Sequence, residues 1–320
     1  MSTPSLPVLP LLARRAEHRD ASWTNALTAA FAGRAEVRAF EHLSEAERQA
    51  TEIAIVADPD PAQLEHLPNL KWVHSLWAGV ERLVGELDRP DLDIVRLSDP
   101  RMADIMAEAV LAWTLYLHRD MPIYARQQQQ KIWAEADYVL PEDRRVTILG
   151  LGYLGSAAAY RLLTNGFSVR GWSRTQKSLA GIDCHSGEDG LQKVLTETDI
   201  AVILMPLTQD TRGIINAQSL AMLPASAQLI NFSRGPLIDD AALLASLDSG
   251  HLKHAVLDVF DKEPLPRDDP YWTHPGVTVL PHVSGPTTQK SSAEVVAENV
   301  QTWWETGELP GSLVDRNRGY

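Results

Sequence analysis

The sequence predicts an α/β protein with two doubly wound parallel-sheet domains. From Val146 to His282, continuous apolar runs alternate with amphipathic segments, and residues 1–100 repeat the alternation more weakly. Continuous apolar runs are typical of strands buried on both faces, and strand–helix alternation implies right-handed crossovers. With 320 residues, 44% of them hydrophobic, the chain is long enough for two separate cores.

In the first hundred residues, five runs indicate the strands of a smaller domain: "PVLPLL", "AEVRAF", "EIAIVAD", "KWVHSL" and "DIVRLS". Two long helical patterns, Met102–Ala134 and Gln289–Glu305, flank the larger block. We therefore expect residues 1–102 and 287–320 to form one domain and residues 103–286 to form a second domain inserted in it. A small ligand is expected in the cleft between two such domains.

Six runs of the larger block indicate strands: "VTILGL", "SVRGWS", "IAVILM", "AQLINFS", "HAVLDVF" and "VTVLPH". The segments "LGSAAAYRLLTNG" and "DDAALLASLDSG" indicate helices between them. The second segment begins with Asp239 and Asp240, which favour a helix N-terminus, and the two segments stop at Gly166 and Gly250.

Charge and cysteine content narrow the class of function. The net charge of −13 and the pI of about 5.2 disfavour binding to nucleic acid or anionic membranes. The single cysteine, Cys184, excludes an internal disulfide framework and fits a cytoplasmic location. "MSTPSLPVLPLLARR" lacks a positive n-region, so we interpret it as a first strand and not a signal peptide. No apolar stretch approaches the roughly 18 residues of a membrane helix.

A glycine turn marks the candidate nucleotide site. Gly150, Gly152 and Gly155 lie between an apolar strand and an Ala/Leu helix in "VTILGLGYLGSAAAYRLL". The first glycine would allow the turn, the second would let a pyrophosphate approach the backbone, and the third would let the helix pack on the sheet. The alternative is a tight turn without a ligand. The strand–turn–helix–strand context favours dinucleotide binding.

The loop after the next strand predicts the choice of cofactor. NAD-binding chains usually place there an acid that binds the ribose hydroxyls, but this chain has Ser173, followed by Arg174 and Lys177. An acid would repel a 2′-phosphate, whereas Arg and Lys would bind it. Two surface cations in an ordinary loop are the alternative. We predict a preference for NADP(H) over NAD(H).

Three downstream segments carry a family resemblance: "INFSRGPLIDDAALLASLDSG", "LDVFDKEPLP" and "LPHVSG", supported by "LMPLTQDTRGIIN" and "VDRNRGY". Together they resemble the D-2-hydroxyacid dehydrogenases, and among them most closely the glyoxylate/hydroxypyruvate reductases. The resemblance implies that residues 103–286 form a Rossmann-type dinucleotide-binding domain, inserted in a smaller flavodoxin-like substrate-binding domain of residues 1–102 and 287–320. It also implies that Asp258 contacts the nicotinamide amide. Further cofactor contacts are expected at Tyr153, Leu154, Thr175, Pro206, Leu207, Thr211, Phe232, Ser233 and Ser284.

By the same resemblance, Arg234, Glu263 and His282 are the catalytic residues, and their chemistry suits reduction of a 2-keto acid. His282 can donate a proton near neutral pH. Glu263 can orient the imidazole and raise its pKa, and Arg234 can bind the substrate carboxylate bidentately. Taken singly, each residue also fits a structural role: a histidine after a strand, a turn glutamate and a solvated arginine.

The resemblance also assigns a substrate loop and a dimer. In "LWAGVERL", the backbone N–H groups of Ala78, Gly79 and Val80 would bind the substrate carboxylate. Trp77 stands where many members have a smaller residue, and it either caps the pocket or packs in the core. Trp133, in "KIWAEADY", would reach the active site of the partner in a two-fold homodimer.

We therefore predict an NADPH-dependent reductase that converts small 2-keto acids, glyoxylate and hydroxypyruvate first, to D-2-hydroxy acids. The alternatives are a reductase of another or bulkier 2-keto acid, or a non-catalytic dinucleotide-sensing protein like the corepressors of this fold. His251 and His254 have metal-ligand spacing without a third ligand nearby, so we interpret them as an exposed pair and predict no metal site.

Overall fold

The computed structural model describes residues 6–14, 21–316 and 318–319. The prediction about a signal peptide rests partly on residues 1–5, and the closing motif includes Asn317 and Tyr320. Those positions lie outside the described residues. The chain divides into two compact units. The first unit comprises the described residues of Met1–Arg101 and Thr287–Tyr320, and the second unit comprises Met102–Pro286.

The first unit contains a parallel sheet whose five strands lie in the order β2-β1-β3-β4-β5. Its strands are β1 (Val8–Ala13), β2 (Glu36–Ala39), β3 (Ile53–Ala57), β4 (Trp72–Ser75) and β5 (Asp93–Val95). Its helices are α1 (Ala21–Ala30), α2 (Glu45–Ala50), α3 (Pro61–Leu64), α4 (Glu81–Glu86) and, from the C-terminal segment, α11 (Gln289–Thr306).

Helix α11 completes the core of the first unit. Its apolar side chains Ala293, Val296 and Val300 are buried against Leu27 and Phe31 near α1. Apolar residues spaced three and four apart form one face of a helix, which explains why this remote segment returns to the first sheet. The C-terminal helix and the N-terminal strands therefore share one hydrophobic core.

The second unit contains a parallel sheet of seven strands in the order β12-β11-β10-β9-β6-β7-β8. Its strands are β6 (Arg145–Leu149), β7 (Ser168–Ser173), β8 (Asp183–Ser186), β9 (Ile200–Ile203), β10 (Ala227–Asn231), β11 (Leu252–Leu257) and β12 (Val277–Val279). Its helices are α5 (Pro100–His118), which begins two residues before the unit, α6 (Met121–Gln130), α7 (Tyr153–Thr164), α8 (Gly187–Thr196), α9 (Ala217–Met222) and α10 (Asp240–Asp248).

Strand β6 is the point where the strand order of this sheet reverses, because β7 lies on one side of it and β9 on the other. In open parallel sheets, ligands bind beyond the carboxyl ends of the strands at such a switch point. The predicted pair of doubly wound parallel-sheet domains is confirmed. Within the described residues, no helix has both the length and the apolar character that a membrane span needs.

Three details differ from the sequence-based expectations. The segment Met102–Ala134 is not one helix: α5 ends at His118, Asp120 adopts φ 55°, and α6 ends at Gln130, so Ile132–Ala134 lies outside the helices. Strand β8 was missed, because "DCHS" is short and lies at the sheet edge with no fully buried residue.

The prediction that His251 and His254 form an exposed pair is wrong for His254. This residue lies on β11 with only 3% of its surface exposed, and its Nε2 is 2.9 Å from Thr278 Oγ1. Burial lowers the pKa of His254 to about 4, so it is a neutral core residue at neutral pH.

Candidate active site

The glycine turn joins β6 to α7, and two of its glycines are required by close backbone contacts. Gly150 has φ +115°, and a Cβ there would lie 2.6 Å from the backbone nitrogen of Met205. A Cβ on Gly155 would lie 1.8 Å from the carbonyl oxygen of Gly150. Real Cβ contacts do not approach so closely. A side chain at Gly150 would collide with the backbone that follows β9, and a side chain at Gly155 would force α7 away from the turn and from β6.

Gly152 has a different surrounding, because nothing lies within 4 Å of the position its Cβ would take. It is also the N-cap residue of α7, and no side chain caps this helix. The first N–H groups of α7 therefore have no side-chain acceptor, and the positive end of the helix dipole faces open space. A pyrophosphate group is suited to such a position.

Strand β7 ends at Ser173, so the predicted cofactor loop starts at the carboxyl edge of the sheet. Arg174, Thr175 and Lys177 are exposed there. Ser173 Oγ donates to the carbonyl oxygen of Thr175 at 2.8 Å, which bends the loop back on itself. The edge beside the glycine turn thus carries two cations and no carboxylate between residues 173 and 177.

Other predicted cofactor residues lie beyond β9 and β10. Thr211 Oγ1 donates to the carbonyl oxygen of Pro206 at 2.7 Å and accepts from the Thr208 N–H at 2.8 Å, which closes the loop that contains Leu207. Ser233 Oγ donates to the carbonyl oxygen of Met205, and Phe232 is buried in the core beneath. These contacts connect the two loops at the same sheet edge.

Glu263 and His282 form a hydrogen-bonded pair. His282 Nδ1 lies 2.7 Å from Glu263 Oε2, and Glu263 Oε1 accepts from the Phe260 N–H at 2.9 Å. Both side chains are partly exposed, 52% for His282 and 33% for Glu263. The carboxylate therefore holds a proton on Nδ1, and Nε2 remains as the ring nitrogen that can exchange a proton with a ligand.

The pair shifts both pKa values towards the charged forms. The hydrogen bond with Glu263 raises the pKa of His282, although burial and the positive charge of Arg234 oppose the rise. Burial alone would raise the pKa of Glu263, but the hydrogen bonds from His282 and from the Phe260 N–H outweigh burial and lower it. The imidazole therefore keeps a proton to a higher pH than an isolated histidine does.

Asp258 holds the backbone that carries His282. The two oxygens of its buried carboxylate accept from the N–H groups of Val283 and Ser284, each at 2.8 Å. His282 has φ +56°, a conformation that costs a non-glycine residue roughly 1–3 kcal/mol. Hydrogen bonds to a charged acceptor contribute roughly 1.5–3 kcal/mol each, enough to maintain that conformation.

Arg234 lies in the turn between β10 and α10, next to Gly235. A Cβ on Gly235 would lie 2.1 Å from the carbonyl carbon of Phe260, so this turn presses on the segment that leads to Glu263. Arg234 Nη1 donates to the carbonyl oxygen of Ser233 at 2.7 Å. Since the charge of Arg234 acts on the pKa values of both Glu263 and His282, the three side chains form one electrostatic group.

In the first unit, the predicted substrate loop follows β4 and precedes α4. The Trp77 N–H donates to Ser75 Oγ at 3.0 Å, and the Trp77 carbonyl oxygen accepts from the Leu97 N–H at 3.1 Å. The Trp77 indole meets Trp23 edge to face, with ring centroids 6.2 Å apart. Much of the Trp77 indole therefore packs against the core of the first unit. The backbone of Ala78 and Gly79, which follows it, is held at its start.

Trp133 lies in the segment 131–140, which has neither helix nor strand and which we call the arm, and its side chain is 99% exposed. The arm is nevertheless fixed at its far end. The Ala136 N–H donates to Tyr124 Oη at 3.2 Å, and the Arg119 guanidinium lies 5.0 Å from the centre of the Tyr138 ring. Ile132 and Leu140 are also exposed, so the arm presents apolar surface to solvent.

The residues of the second unit fit a nicotinamide dinucleotide. The open space at Gly152 and the uncapped start of α7 suit a pyrophosphate. Ser284 Oγ is buried and has no hydrogen-bond partner among the described residues, which suits a polar group placed beside His282. Together with the switch-point location, these features define the dinucleotide-binding domain of a dehydrogenase.

Comparisons with known proteins agree. Residues 111–284 match the model of the D-isomer specific 2-hydroxyacid dehydrogenase NAD-binding domain. The chain is 36% identical over 278 residues to glyoxylate/hydroxypyruvate reductase A of Yersinia enterocolitica, which covers 85% of this chain and 88% of that protein.

Two solved structures resemble the chain over nearly its whole length. A D-isomer specific 2-hydroxyacid dehydrogenase from Xanthobacter autotrophicus, in complex with NADPH and MES, is 41% identical with a TM-score of 0.91, covering 97% of this chain and 99% of that one. An NADPH-dependent glyoxylate/hydroxypyruvate reductase from Sinorhizobium meliloti, in complex with NADP and sulfate, is 32% identical with a TM-score of 0.86, covering 99% and 100%. The chain belongs to the D-isomer specific 2-hydroxyacid dehydrogenase family, whose members are nicotinamide-dinucleotide-dependent oxidoreductases.

The Glu263–His282 pair leads to a prediction about pH. Glu263→Gln keeps the size of the side chain but removes the negative charge that raises the pKa of His282. If the protonated imidazole is the active form in the reductive reaction, kcat/KM should fall as pH rises through that pKa. In the variant this fall should occur at lower pH, as measured by a pH–rate profile.

Asp268→Asn is the matched control, because it removes an exposed carboxylate from the same loop. The pH dependence of kcat/KM in this variant should equal that of the native enzyme. An unchanged profile in Glu263→Gln, or an equal change in both variants, would contradict the assignment of the pair.

Proposed function

We propose that the protein reduces small 2-keto acids, glyoxylate and hydroxypyruvate first, to D-2-hydroxy acids with NADPH. The single observation that carries this proposal is the Glu263–His282 hydrogen bond of 2.7 Å beside Arg234, at the edge where the glycine turn lies. A proton donor and a carboxylate-binding cation are the two groups that the reduction of a 2-keto acid requires from the protein.

In the proposed mechanism, each side chain has one role. The dinucleotide supplies the hydride when it is bound. His282 donates a proton from Nε2 to the carbonyl oxygen of the substrate, because Nδ1 is engaged by Glu263. Arg234 binds the substrate carboxylate and stabilises the negative charge that develops on the carbonyl oxygen. Asp258 keeps the His282 backbone in place. By the family resemblance, its carboxylate would also accept a hydrogen bond from the nicotinamide amide.

The preference for NADP(H) is supported by the loop after β7. Ser173 replaces the acid that would repel a 2′-phosphate, and Arg174 and Lys177 supply positive charge in a protein whose net charge is −13. The relatives from Xanthobacter autotrophicus and Sinorhizobium meliloti were solved with NADPH and NADP. The remaining predicted cofactor residues would contact the dinucleotide from the glycine turn and from the segments that follow β7, β9, β10, β11 and β12.

The choice of a small substrate is supported by the relatives from Yersinia enterocolitica and Sinorhizobium meliloti, which are glyoxylate/hydroxypyruvate reductases. In the first unit, we assign the backbone N–H groups of Ala78, Gly79 and Val80 to the substrate carboxylate. The core packing of Trp77 against Trp23 favours a fixed indole over a mobile cap. A bulkier keto acid remains the alternative within the enzyme class.

The corepressor-like alternative predicts dinucleotide binding without turnover. Glu263 and His282 argue against this alternative. Their hydrogen bond lowers the pKa of Glu263 and raises the pKa of His282, which keeps a proton on the imidazole near Arg234 to higher pH. A sensor has no need of a proton donor.

We also propose a two-fold homodimer in which the arm of each chain contacts the partner, with Trp133 at the partner's active site. A tryptophan buries roughly 150–250 Å² when it packs, and solvating so large an apolar side chain on a fixed segment is unfavourable. The bracing by Tyr124 and Arg119 means that little conformational freedom would be lost on association.

Turnover tests the proposed function directly. The purified protein should oxidise NADPH with glyoxylate and hydroxypyruvate, and do so more slowly with NADH or with an aryl-pyruvate. His282→Ala should lower kcat by about 10²–10⁴, the usual contribution of a general acid, while NADPH binding survives. Dinucleotide binding without turnover of any keto acid would favour the sensing role.

Light scattering tests the dimer. The expected mass at micromolar concentration is twice the chain mass of 35.4 kDa. Trp133→Ala should weaken the dimer and raise KM for the keto acid, since the indole is assigned to the partner's site. Trp304→Ala, which removes an exposed tryptophan of α11, is the control and should do neither. A native mass of one chain would contradict this assignment.

A further inference from the structure

We propose that Gln176 and Ser186 are positioning residues for cofactor selectivity: their side chains fasten the loop 173–177 to β8, so that Arg174 and Lys177 stand ready for a 2′-phosphate. This inference rests on the proposed preference for NADPH. It adds two residues that touch no reacting atom and that the motif of glycines and cations does not include.

The Gln176 side chain makes three hydrogen bonds. Its Nε2 donates to the carbonyl oxygen of Cys184 at 2.9 Å and to that of Lys177 at 3.0 Å. Its Oε1 accepts from Ser186 Oγ at 2.9 Å. Gln176 lies between the two cations in the sequence, and its amide joins their loop to Cys184 and to Ser186, the last residue of β8.

Ser186 supports this interpretation because its side chain does not cap the helix that it precedes. It is the N-cap residue of α8, where a serine hydroxyl ordinarily accepts from an N–H of the first turn. Here no side-chain cap bond is present, and the hydroxyl donates to Gln176 instead. The hydroxyl is therefore used to hold the cofactor loop and not to cap its own helix.

Further contacts hold the segments that carry Gln176 and Ser186 close together. Ser173 and Ser186 are partners in the register of β7 and β8, so the loop leaves the sheet beside the residue that fastens it. The indole N–H of Trp172 donates to the carbonyl oxygen of Gly187 at 2.8 Å, which ties the end of β7 to the start of α8. Ser173 Oγ closes the first bend of the loop on Thr175.

Preorganisation is the physical reason why such a pair affects selectivity. A phosphate gains charge-assisted hydrogen bonds from Arg and Lys, but the gain is reduced by the entropy lost when a mobile loop becomes ordered. A loop that is already fastened loses less entropy. NADH lacks the 2′-phosphate, so its affinity depends much less on where these cations stand.

The test measures dissociation constants for NADPH and NADH in the full-length protein, by fluorescence of the bound reduced nicotinamide. Gln176→Met keeps the length of the side chain and removes the amide. It should weaken NADPH binding about three- to tenfold, the effect expected from losing a hydrogen-bonded tie, and change NADH binding less than about twofold. Ser186→Ala should act in the same direction, whereas Ser186→Thr keeps the hydroxyl and should retain the selectivity.

Two further variants serve as references. Arg174→Ala removes a cation from the loop, and Gln192→Met makes the same chemical change as Gln176→Met at an exposed position of α8. The second should leave both dissociation constants unchanged. Because Gln176 and Ser186 act through one hydrogen bond, the double variant Gln176→Met/Ser186→Ala should lose less selectivity than the two single losses added together.

The outcomes separate this inference from the function on which it rests. If Arg174→Ala loses NADPH selectivity and Gln176→Met does not, the positioning role is overturned and the cofactor preference stands. Equal losses of NADPH and NADH affinity in Gln176→Met would show general damage to the domain, which also overturns it. If the native protein does not discriminate between the cofactors, the proposed preference itself fails.

Discussion

The site depends on the fixed backbone around His282, which Asp258 holds by accepting hydrogen bonds from two successive N–H groups. His282 adopts a left-handed conformation immediately before those two N–H groups, and its imidazole contacts the carboxylate of Glu263. Close backbone packing at Gly235 then sets the Arg234 turn against the segment that leads to Glu263. A carboxylate, an imidazole and a guanidinium from three separate loops thus meet because buried contacts beneath them leave those loops little freedom.

Electrostatics and fold act together at this edge. The protein carries a net charge of −13, yet both of its assigned anion sites are locally positive: Arg234 near the imidazole, and Arg174 with Lys177 after β7. The start of α7 adds its dipole beside the open space at Gly152. Local cations at the carboxyl ends of the strands therefore reconcile an acidic protein with the binding of an anionic cofactor and an anionic substrate.

Much of this arrangement could be predicted from the sequence, for identifiable reasons. Strands such as β9 and β10 consist of wholly buried residues, so their apolar runs were unambiguous. The turn at Gly150 and Gly155 could be predicted because its close backbone contacts leave no room for a Cβ, so both positions require glycine. By contrast, β8 has no fully buried residue, and the break at Asp120 follows from its backbone conformation, which the apolar pattern of Met102–Ala134 conceals. The tie between Gln176 and Ser186 was also missed, because hydrogen bonds between exposed side chains leave no periodic signal in a sequence. The signal that could have found it was Ser186 itself, a serine at the start of α8 on the strand next to the cofactor loop.

The central claim is that Glu263 raises the pKa of the His282 imidazole, the group that we propose as the proton donor. Nuclear magnetic resonance of protein with labelled histidine measures this pKa directly, with His282→Gln used to assign the signal. The pKa of His282 should lie above the ordinary histidine value in the native protein and should fall in Glu263→Gln. A pKa at or below the ordinary value in the native protein, or one that Glu263→Gln leaves unchanged, would contradict the account.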